Sequence, residues 1–409
     1  MNSICINGIN HTQEEILTGK NLKLLSPELI DFLRDWFSEA PVFQVRTSGS
    51  TGIPKQIPIL KKHAVNSAKA TCSYLGLKRG DNALLCLSTQ YIAGKMMIVR
   101  AITTGLNLWT VPVDGHPMKS FLNSPHPHFH FAAMVPLQVI NSLQTKDERN
   151  LLAQIDKIII GGAPIDPQLE ADLRPFPNTF LSTYGMTETL SHIAMRPLNG
   201  LQASPYYTTL PGVRIQTDID ETLTIDFPDI GVTQLKTHDR CQIVSRDRAQ
   251  NFKILGRIDN IINSGGLKLQ PEEIETKLTF LHPSHYAVTS LPHPVLGEAV
   301  VLLISSQSFQ NQLDSANTKI LKRQNWQNAS ERSDFLKLLS LHLTKYHLPK
   351  AIGWVDVLPF TPNGKIDRIA LKQLAFKVFG ENPFNPKSSL EIQKSFKTTN
   401  NILNNNDLL

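Results

Sequence analysis

Between residues 83 and 160, short apolar segments alternate with stretches of helical periodicity, and this alternation limits the possible folds more than any other feature of the sequence. The apolar segments lie at residues 83–87, 108–113, 129–135 and 157–160. Apolar segments of this length predict buried strands, and strands that alternate with helices predict a sheet with helices on its faces. The sequence therefore predicts an α/β fold for this part of the chain.

Capping residues and a change of periodicity mark the neighbouring elements. Ser26 and Asp166 each precede a proline, which is a typical start of a helix. After about residue 210, apolar and polar residues alternate along the chain. Because alternation with a period of two is typical of half-buried strands, we expect a small β subdomain there.

The length of the chain, 409 residues, favours two domains. Helical and strand patterns begin again after residue 256, so we expect an N-terminal domain of residues 1–256 and a C-terminal domain of residues 257–380. Residues 381–409 are rich in Asn, Ser and Lys with few aromatic residues, and this composition predicts a disordered tail.

The composition excludes several classes of protein. The formal net charge of +6 suits anionic ligands, but the basic residues are scattered rather than gathered into a block typical of nucleic-acid binding. The four cysteines show no C-x-x-C spacing, so we expect no zinc site and a reduced, cytoplasmic compartment. No secretory signal pattern is present. The apolar run at residues 299–304 is too short to span a bilayer, so we expect a buried strand there and no membrane insertion.

A loop rich in hydroxyl groups and glycine follows a short strand candidate at residues 42–45. Its backbone N–H and side-chain O–H groups could converge on phosphate oxygens, and its lysine adds a positive charge. No Gly-Lys-Ser/Thr closes the loop, so it is not a Walker A loop. The candidate phosphate-binding residues are Thr47, Ser48, Gly49, Ser50, Thr51, Gly52 and Lys55.

The string Thr-Ser-Gly-Ser-Thr-Gly-x-Pro-Lys resembles the phosphate loop of the acyl-adenylate-forming superfamily, which includes acyl–CoA synthetases, nonribosomal adenylation domains and luciferases. Further motifs follow in the family's order, and together with this loop they span roughly three quarters of the chain. The resemblance implies a large N-terminal α/β domain and a smaller, mobile α+β C-terminal domain. It also implies ATP, Mg²⁺ and coenzyme A as ligands. The loop lies 46 residues after the start, where relatives usually carry a longer portion, so the chain resembles a shortened member.

The next two motifs resemble the nucleotide-binding residues of this family. Gly161, Gly162 and Ala163 follow a strand candidate and resemble the turn that binds adenine. The string Ser-Thr-Tyr-Gly-Met-Thr-Glu-Thr at residues 182–189 resembles the core motif of the family. The resemblance implies that Tyr184 lies along the adenine, that Thr187 meets the α-phosphate and that Glu188 helps to hold Mg²⁺. It also implies that Gly185 is one of the nucleotide-binding residues. A carboxylate suits a hard cation and a hydroxyl suits a phosphoryl oxygen.

The string Thr-His-Asp at residues 237–239 stands where relatives carry Thr-Gly-Asp. The resemblance implies that Asp239 binds the ribose hydroxyls. His238 replaces the usual glycine, and histidine adopts positive φ less readily than glycine does. We therefore expect the local backbone to differ from that of relatives if a positive φ is required there, and we expect His238 to be a surface residue.

The longest match begins at Gly256 and resembles the start of the family's C-terminal domain. The resemblance implies that Arg257 contacts the ribose or phosphate, that Asp259 is the hinge and that Lys268 lies near the adenylate phosphate. It also implies a CoA-facing loop of Ser264, Gly265 and Gly266. The last motif, Pro-x-Thr-x-x-Gly-Lys, makes Lys365 the residue that promotes adenylation, where negative charge develops as a carboxylate attacks the α-phosphorus.

Residues 87–100 stand where relatives form the pocket for the acid. This segment and the short N-terminus are similar to those of compact bacterial o-succinylbenzoate–CoA ligases of menaquinone biosynthesis. That substrate has two carboxylates and a benzene ring, so the second carboxylate needs a cation. Lys95 and Arg100 are the candidates, and Tyr91 could pack against the ring.

The sequence therefore predicts an ATP-dependent acid–CoA ligase that forms an acyl-adenylate and then a thioester, with o-succinylbenzoate as the expected acid. Two alternatives stay open: a ligase for another aryl or acyl acid, and a stand-alone adenylation module that loads a carrier protein. Either would act on a small carboxylic acid. A nucleic-acid-binding role is disfavoured because no basic sheet motif with interleaved aromatic residues is present.

Overall fold

The computed structural model describes residues 3–46, 56–122, 125–245, 249–281, 286–305, 329–361, 365–380 and 384. The chain divides into two compact units, Met1–Ile254 and Leu255–Leu409, and each unit is described by itself. The division falls two residues before the domain boundary expected from the sequence. Of the expected tail, all residues except Phe384 lie outside the described part of the chain.

The first unit contains helices on a large sheet. Its strands are β1 (Ser3–Ile6), β2 (Ile9–Thr12), β3 (Val42–Arg46), β4 (Gln56–Leu60), β5 (Asn82–Leu85), β6 (Asn107–Thr110), β7 (Phe131–Met134), β8 (Lys157–Ile160), β9 (Thr179–Gly185), β10 (His192–Pro197), β11 (Tyr207–Thr209), β12 (Arg214–Thr217), β13 (Thr222–Phe227), β14 (Val232–Ser245) and β15 (Asn251–Arg257). Its helices are α1 (Gln13–Thr18), α2 (Pro27–Phe37), α3 (Lys61–Leu75), α4 (Ile92–Thr104), α5 (Pro136–Leu143), α6 (Lys146–Leu152) and α7 (Pro167–Leu173).

The strand order of the large sheet is β12-β13-β14-β15-β11-β10-β9-β8-β7-β5-β6-β1-β2. Strands β6, β5, β7, β8 and β9 run parallel to one another, and β10 turns back antiparallel to β9. The strands expected to form a small β subdomain, β12 to β14, are hydrogen-bonded into this same sheet through β15. The α/β prediction is confirmed, and the alternating strands after residue 210 extend the main sheet.

Helices cover both faces of the parallel strands. Leu33 of α2, Ala68 of α3 and Met97 of α4 belong to one buried apolar cluster. Val139 of α5 and Leu169 of α7 belong to a second cluster. Because a strand directs successive side chains to opposite faces, a central strand such as β7 contributes residues to both clusters. No helix in the described part of the chain is long and apolar enough to cross a membrane.

Two helices begin as their capping residues predict. The Ser26 side chain accepts a hydrogen bond from the backbone N–H of Leu29, three residues into α2. The Asp166 carboxylate accepts the N–H of Leu169 in the same way at 2.9 Å. Each cap satisfies one of the backbone donors that a helix start leaves without an intrahelical partner. These caps fix where α2 and α7 begin.

The second unit is a smaller α+β structure. Its strands are β16 (Ile262–Ser264), β17 (Leu267–Leu269), β18 (Tyr286–His293), β19 (Gly297–Ser305) and β20 (Ala351–Val355), in the order β17-β16-β19-β18 with β20 parallel to β19. Its helices are α8 (Pro271–Thr276), α9 (Ala329–His342) and α10 (Arg368–Phe379). Val300 of β19 packs with Phe335 of α9 on one face, and Val301 packs with Leu371 of α10 on the other. The apolar run at residues 299–304 is therefore a buried strand covered on both faces, as predicted.

Candidate active site

The carboxyl ends of the parallel strands meet at one edge of the sheet, and the adenine-turn residues lie there. Gly161 directly follows β8, and its N–H donates to the carbonyl of Met134 at the end of β7. A Cβ built on Gly161 would lie 2.4 Å from the Thr183 hydroxyl oxygen, and Gly162 has φ of +87°. The close approach and the positive φ both require glycine here. The turn of Gly161 to Ala163 therefore lies directly beside β9, which carries the core motif.

Tyr184 and Asp239 come together although 55 residues separate them in the chain. The Tyr184 hydroxyl donates to an Asp239 carboxylate oxygen at 2.7 Å. Burial raises the pKa of Tyr184, and the Asp239 charge beside it raises that pKa further, so the hydroxyl stays protonated and able to donate. The ring of Tyr184 packs edge-on against Phe252. The residues expected at the adenine and at the ribose are therefore neighbours in one site.

The backbone at His238 does not have the positive φ that would favour glycine. His238 lies within β14, between Thr237 and Asp239, and it is not among the described residues that have positive φ. The Thr237 hydroxyl accepts the N–H of Asp239 at 3.1 Å and thereby helps to set the direction of this carboxylate. The side chain of His238 is exposed, as expected. Extended backbone suits any residue, so histidine carries no conformational cost at this position.

A short turn holds Thr187 and Glu188 at the end of β9. The buried Thr189 hydroxyl accepts the Met186 N–H at 3.0 Å and lies 2.7 Å from the Ser191 carbonyl oxygen, to which it donates. Leu190 then adopts φ of +62°, an uncommon value for a branched residue. Strained backbone of this kind often occurs at functional sites. The result is a sharp turn that leaves Thr187 partly exposed and Glu188 exposed.

The residues at this turn fit a magnesium ion held together with a nucleotide. Mg²⁺ is commonly bound by one or two carboxylates plus substrate phosphates, and Glu188 offers an exposed carboxylate next to the Thr187 hydroxyl. Among the described residues, one group of three possible metal ligands lies close together, formed by His128, His130 and Asp156. The His130 Nδ1 atom accepts the Asn82 N–H at 3.0 Å, and imidazole nitrogens suit transition metals better than Mg²⁺. That group is therefore not the magnesium site that the sequence predicts.

The predicted phosphate loop lies outside the described residues. This applies to all of its candidate residues, which are Thr47, Ser48, Gly49, Ser50, Thr51, Gly52 and Lys55. The strands on either side of the loop are described: β3 and β4 pair antiparallel in a register that ends with Arg46 opposite Gln56. The roles of the loop residues stay predictions.

The three acid-pocket candidates lie on or beside α4 but in different environments. Tyr91 precedes the first residue of α4 and is exposed. Lys95 and Arg100 are five residues apart, which separates their directions by about 140° around the helix. The Lys95 ammonium donates to the Gln44 carbonyl at 2.6 Å and lies over the Phe32 ring, 5.2 Å from its centroid. The two cations therefore cannot both face one acid from this helix.

Lys95 lines a cavity of about 360 Å³ whose other charged groups are carboxylates. The charged and polar residues that line it are Glu28, Asp31, Asp35, Gln44, Gln56, Thr89, Gln90 and Lys95. Three carboxylates against one ammonium give this cavity a negative potential, which disfavours the entry of a further carboxylate.

Arg100 is buried with a relative exposure of 2%. One Nη atom donates to the Ser191 hydroxyl at 2.7 Å, the other lies 3.6 Å from the Met97 sulfur, and Nε has no hydrogen-bond partner among the described residues. Burial lowers the pKa of the Arg100 guanidinium to about 10, so it still carries its charge at neutral pH. A buried charge without a carboxylate partner is rare, because desolvation then has no compensation.

Sequence reasoning missed the residues that surround this guanidinium. His192 pairs with Gly185 in the β9–β10 register, and its ring lies between Ser191 and Thr71 of α3. A Cβ on Gly185 would lie 2.3 Å from the Ser191 carbonyl oxygen, so glycine allows this close approach. The signal in the sequence was the position of Ser191 and His192, three and four residues after Glu188.

The candidates of the second unit lie at its start. The Arg257 guanidinium pairs with the Asp259 carboxylate at 2.9 Å, and both side chains are about half exposed, 49% each. Gly265 and Gly266 have φ of +60° and +82° and form the two-residue turn between β16 and β17. A two-residue hairpin loop with positive φ at both positions favours glycine. Ser264 is the last residue of β16, and Lys268 is exposed on β17.

Lys365 is exposed and lies in a short loop before α10. Its carbonyl oxygen accepts the Thr361 N–H at 2.7 Å, and its own N–H donates to the Thr361 hydroxyl at 3.2 Å. An isolated bridge joins Phe360 to Ile366 next to these bonds. These contacts join the backbone on the two sides of residues 362–364, which lie outside the described part of the chain. The hinge, CoA-loop and adenylation roles of these residues stay predictions.

The first unit thus belongs to the class of α/β proteins with polar groups gathered at the carboxyl edge of a parallel sheet, where such proteins bind their ligands. Residues 25–222 match the model of the family described as AMP-binding enzyme.

Several known proteins are similar to this chain in sequence and fold. The chain is 24% identical over 340 residues to 2-succinylbenzoate–CoA ligase of Escherichia coli, covering 80% of this chain and 67% of that enzyme. A solved protein from Dyadobacter fermentans, described as an acyl-CoA synthetase (AMP-forming)/AMP-acid ligase II-like protein, is 28% identical with a TM-score of 0.56 and covers 88% of this chain and 98% of that one. The o-succinylbenzoate CoA synthetase of Bacillus subtilis, solved with ATP and magnesium, shares the fold at 20% identity and a TM-score of 0.59, covering 80% and 69% of the two chains. The chain spans about two thirds of the length of the curated ligases.

Proposed function

We propose that this protein is an AMP-forming acid–CoA ligase. In the first step a carboxylate oxygen of the acid attacks the α-phosphorus of ATP, which forms the acyl-adenylate and releases pyrophosphate. In the second step the thiol of coenzyme A attacks the acyl carbon, which forms the thioester and releases AMP. The match of residues 25–222 to the AMP-binding enzyme family and the polar groups at the sheet edge support this proposal.

The residues of the first unit would bind the nucleotide. Tyr184 would lie along the adenine beside the turn of Gly161 to Ala163, and Asp239 would bind the ribose hydroxyls. Thr187 would donate to the α-phosphate, and Glu188 would hold Mg²⁺, which neutralises charge on the phosphates. The 2.7 Å bond between Tyr184 and Asp239 supports a common site for base and ribose.

We infer further that the acid is a dicarboxylate such as o-succinylbenzoate. The observation that carries this inference is Arg100, a buried guanidinium without a described carboxylate partner, beside the turn that carries Thr187 and Glu188. A second carboxylate of the substrate would supply the missing negative charge and accept charge-assisted hydrogen bonds. Lys95 is the weaker candidate because the cavity around it already holds three carboxylates.

The test is a screen for pyrophosphate release with candidate acids and ATP, followed by kinetics of Arg100→Ala and Lys95→Ala. Loss of a charge-assisted hydrogen bond costs about 1.5–3 kcal/mol, so Arg100→Ala should lower kcat/KM for o-succinylbenzoate roughly 10- to 150-fold. Lys95→Ala should change it little. Benzoate has no second carboxylate, so any turnover of benzoate should be the same in both variants.

Three results would change the conclusion. If Arg100→Ala leaves kcat/KM for the diacid unchanged, the second carboxylate is bound elsewhere. If the wild-type enzyme ignores o-succinylbenzoate and activates another acid, the ligase proposal stands and the substrate proposal is wrong. Thioester formation on a phosphopantetheine arm but not on free CoA would favour the carrier-protein alternative.

Lys365 would act in the first step only. Its ammonium would stabilise the negative charge that develops at the attacked phosphorus, so we expect Lys365→Ala to slow adenylation about 100-fold or more. Thioester formation from pre-made acyl-adenylate should survive in the variant. An equal loss in both half-reactions would contradict this role.

A further inference from the structure

A chain of hydrogen bonds links Arg100 on α4 to the buried face of α3. The guanidinium contacts the Ser191 hydroxyl at 2.7 Å, and that hydroxyl lies 3.3 Å from Nδ1 of His192. Nε2 of His192 lies 3.0 Å from the Thr71 hydroxyl, which in turn lies 3.1 Å from the Ser67 carbonyl oxygen. All of these side chains except that of Ser191 are buried. This hydrogen-bond chain therefore crosses the interior beside the core motif and ends at the backbone of α3.

The two ends of this hydrogen-bond chain set the direction of its bonds, because the guanidinium can only donate and the Ser67 carbonyl can only accept. A guanidinium can only donate, so the Ser191 oxygen accepts from it and the single Ser191 proton is left for His192 Nδ1. His192 must then carry its proton on Nε2, which donates to the Thr71 oxygen. The Thr71 proton goes to the Ser67 carbonyl. One arrangement therefore satisfies each of these groups, and in it His192 is neutral.

A protonated His192 is disfavoured in this arrangement. Its Nδ1–H and the guanidinium would both donate to the Ser191 hydroxyl, so two positive charges would flank one partly buried group and the Ser191 proton would lose its acceptor on His192. Burial lowers the pKa of His192 well below its ordinary value, and the nearby charge of Arg100 lowers it further. The imidazole therefore acts as a fixed acceptor toward Ser191 at neutral pH.

We propose that His192 is a positioning residue for substrate recognition: as the Nε2–H tautomer it fixes Ser191, and Ser191 fixes the Arg100 guanidinium in the orientation that receives an anionic group of the acid. This inference rests on the proposed function, because it assigns Arg100 to the acid. It places the selectivity for a diacid partly in a residue that does not touch the substrate. The anchor of this hydrogen-bond chain on α3 explains why the guanidinium is held although no carboxylate among the described residues pairs with it.

Three substitutions at one position separate this role from simple packing. His192→Asn keeps an acceptor near the Nδ1 position, whereas His192→Gln resembles histidine more in size and keeps a donor near the Nε2 position. His192→Ala keeps neither. Loss of one hydrogen bond corresponds to about a 3- to 10-fold effect, so we expect the KM for the diacid to rise by that factor in His192→Ala and His192→Gln. His192→Asn should stay close to wild type, and kcat and the KM for ATP should change little in all three.

The same measurements contain the result that would overturn the proposal. If packing alone matters, His192→Gln should resemble wild type more than His192→Asn does. In the Arg100→Ala background the His192→Ala effect on the KM for the diacid should vanish, because coupled residues are not additive. An effect of undiminished size in that background would show that His192 acts independently of Arg100.

A measurement without substrate tests the hydrogen-bond chain itself. Nitrogen NMR of the full-length protein labelled with ¹⁵N-histidine should show the Nε2–H tautomer for His192, identified by the signals missing from His192→Asn. A signal from the Nδ1–H tautomer or from an imidazolium at pH 7 would overturn the proposal. If the wild-type enzyme releases no pyrophosphate with any acid, the proposed function fails. If it turns over the diacid and His192→Ala leaves the KM unchanged, only this inference fails.

Discussion

Each unit of the protein contains an arginine largely removed from water, and the two arginines are held in opposite ways. Arg368 of the second unit forms a two-pronged pair with Glu275, at 2.8 and 2.7 Å, and lies 3.4 Å from Glu272. It also donates to the Val288 carbonyl at 2.9 Å. Arg100 of the first unit is more deeply buried, yet its described partners are a hydroxyl and a sulfur atom.

The difference separates an arginine that holds two helices together from one that the proposed function assigns to the acid. The two carboxylates near Arg368 raise the pKa of its guanidinium above the ordinary value, whereas burial lowers that of Arg100 to about 10. Arg368 is the first residue of α10, and Glu275 and Glu272 lie on α8, so the ion pair joins two helices. Arg100 forms no ion pair with a carboxylate among the described residues. Under the proposed function, a bound anion would compensate the rest of its desolvation.

The largest effect is expected at Arg368. Arg368→Met would leave Glu275 and Glu272 near the interior without a cation, and breaking a buried ion pair costs about 3–5 kcal/mol. The Arg368 side chain is 24% exposed, so we expect the substitution to lower the free energy of unfolding by about 3 kcal/mol, at the low end of this range. Hydrogen–deuterium exchange of β18 and β19 amides would then speed up by about 100-fold.

A matched control lies on α9 of the same unit. The Lys337 ammonium pairs with Asp334 at 3.2 Å, but both side chains are largely exposed, 75% and 52%. Exposed pairs contribute little, so Lys337→Met should leave the exchange rates of β18 and β19 nearly unchanged. An equal effect of the two substitutions would show that the ion pair of Arg368 stabilises the unit no more than a surface pair does.

The contrast between the two arginines was only partly readable from the sequence. Periodicity predicted the α/β fold and the buried strand β19, because burial on one or both faces leaves a direct pattern of apolar residues. Motif resemblance named Tyr184, Asp239 and Arg100 individually. The contact between Tyr184 and Asp239 depends on how β14 enters the sheet, and no local pattern encodes that. The expectation of a separate β subdomain came from alternation, which does not say which sheet a strand joins.

The network around Arg100 was not visible in the sequence for a related reason. Thr71 and His192 are 121 positions apart, and their contact depends on α3 packing on the face of the sheet near the start of β10. Serine and histidine after a motif are also common on surfaces, so residue type gives no signal of burial. Lys95 and Arg100 were equivalent candidates until the structure placed them on different faces of α4.

The second prediction concerns pH and the first unit. The folded-state pKa of His192 lies below the unfolded value of about 6.5, so the unfolded chain binds a proton that the folded chain does not. The stability contributed by the neutral form is present above pH 6.5 and is lost as the pH falls below it, by up to about 1.4 kcal/mol per pH unit. Denaturant unfolding of wild type and His192→Gln between pH 7.5 and 5 should show a smaller loss in the variant. Parallel pH profiles would mean that His192 gains its proton in the folded state as readily as in the unfolded state.

The smallest and most diagnostic effect is expected for Arg100→Met. This is the same substitution as at Arg368, but we expect it to leave the free energy of unfolding unchanged or to raise it rather than to lower it. Methionine fills similar space and adapts to irregular cavities, and it removes a charge whose Nε–H has no hydrogen-bond partner within the described part of the chain. The lost bond to Ser191 offsets part of this gain, so we expect the unfolding free energy to stay equal or to rise by about 1 kcal/mol. Binding sites commonly hold groups that destabilise the free protein, and removal of such a group typically raises stability while function falls. Amide exchange of β7 and β8 together with kinetics on the diacid measures both quantities in one variant. A loss of stability near 3 kcal/mol, as expected for Arg368→Met, would show that Arg100 is a structural residue too, and the comparison between the two arginines would no longer point to a ligand.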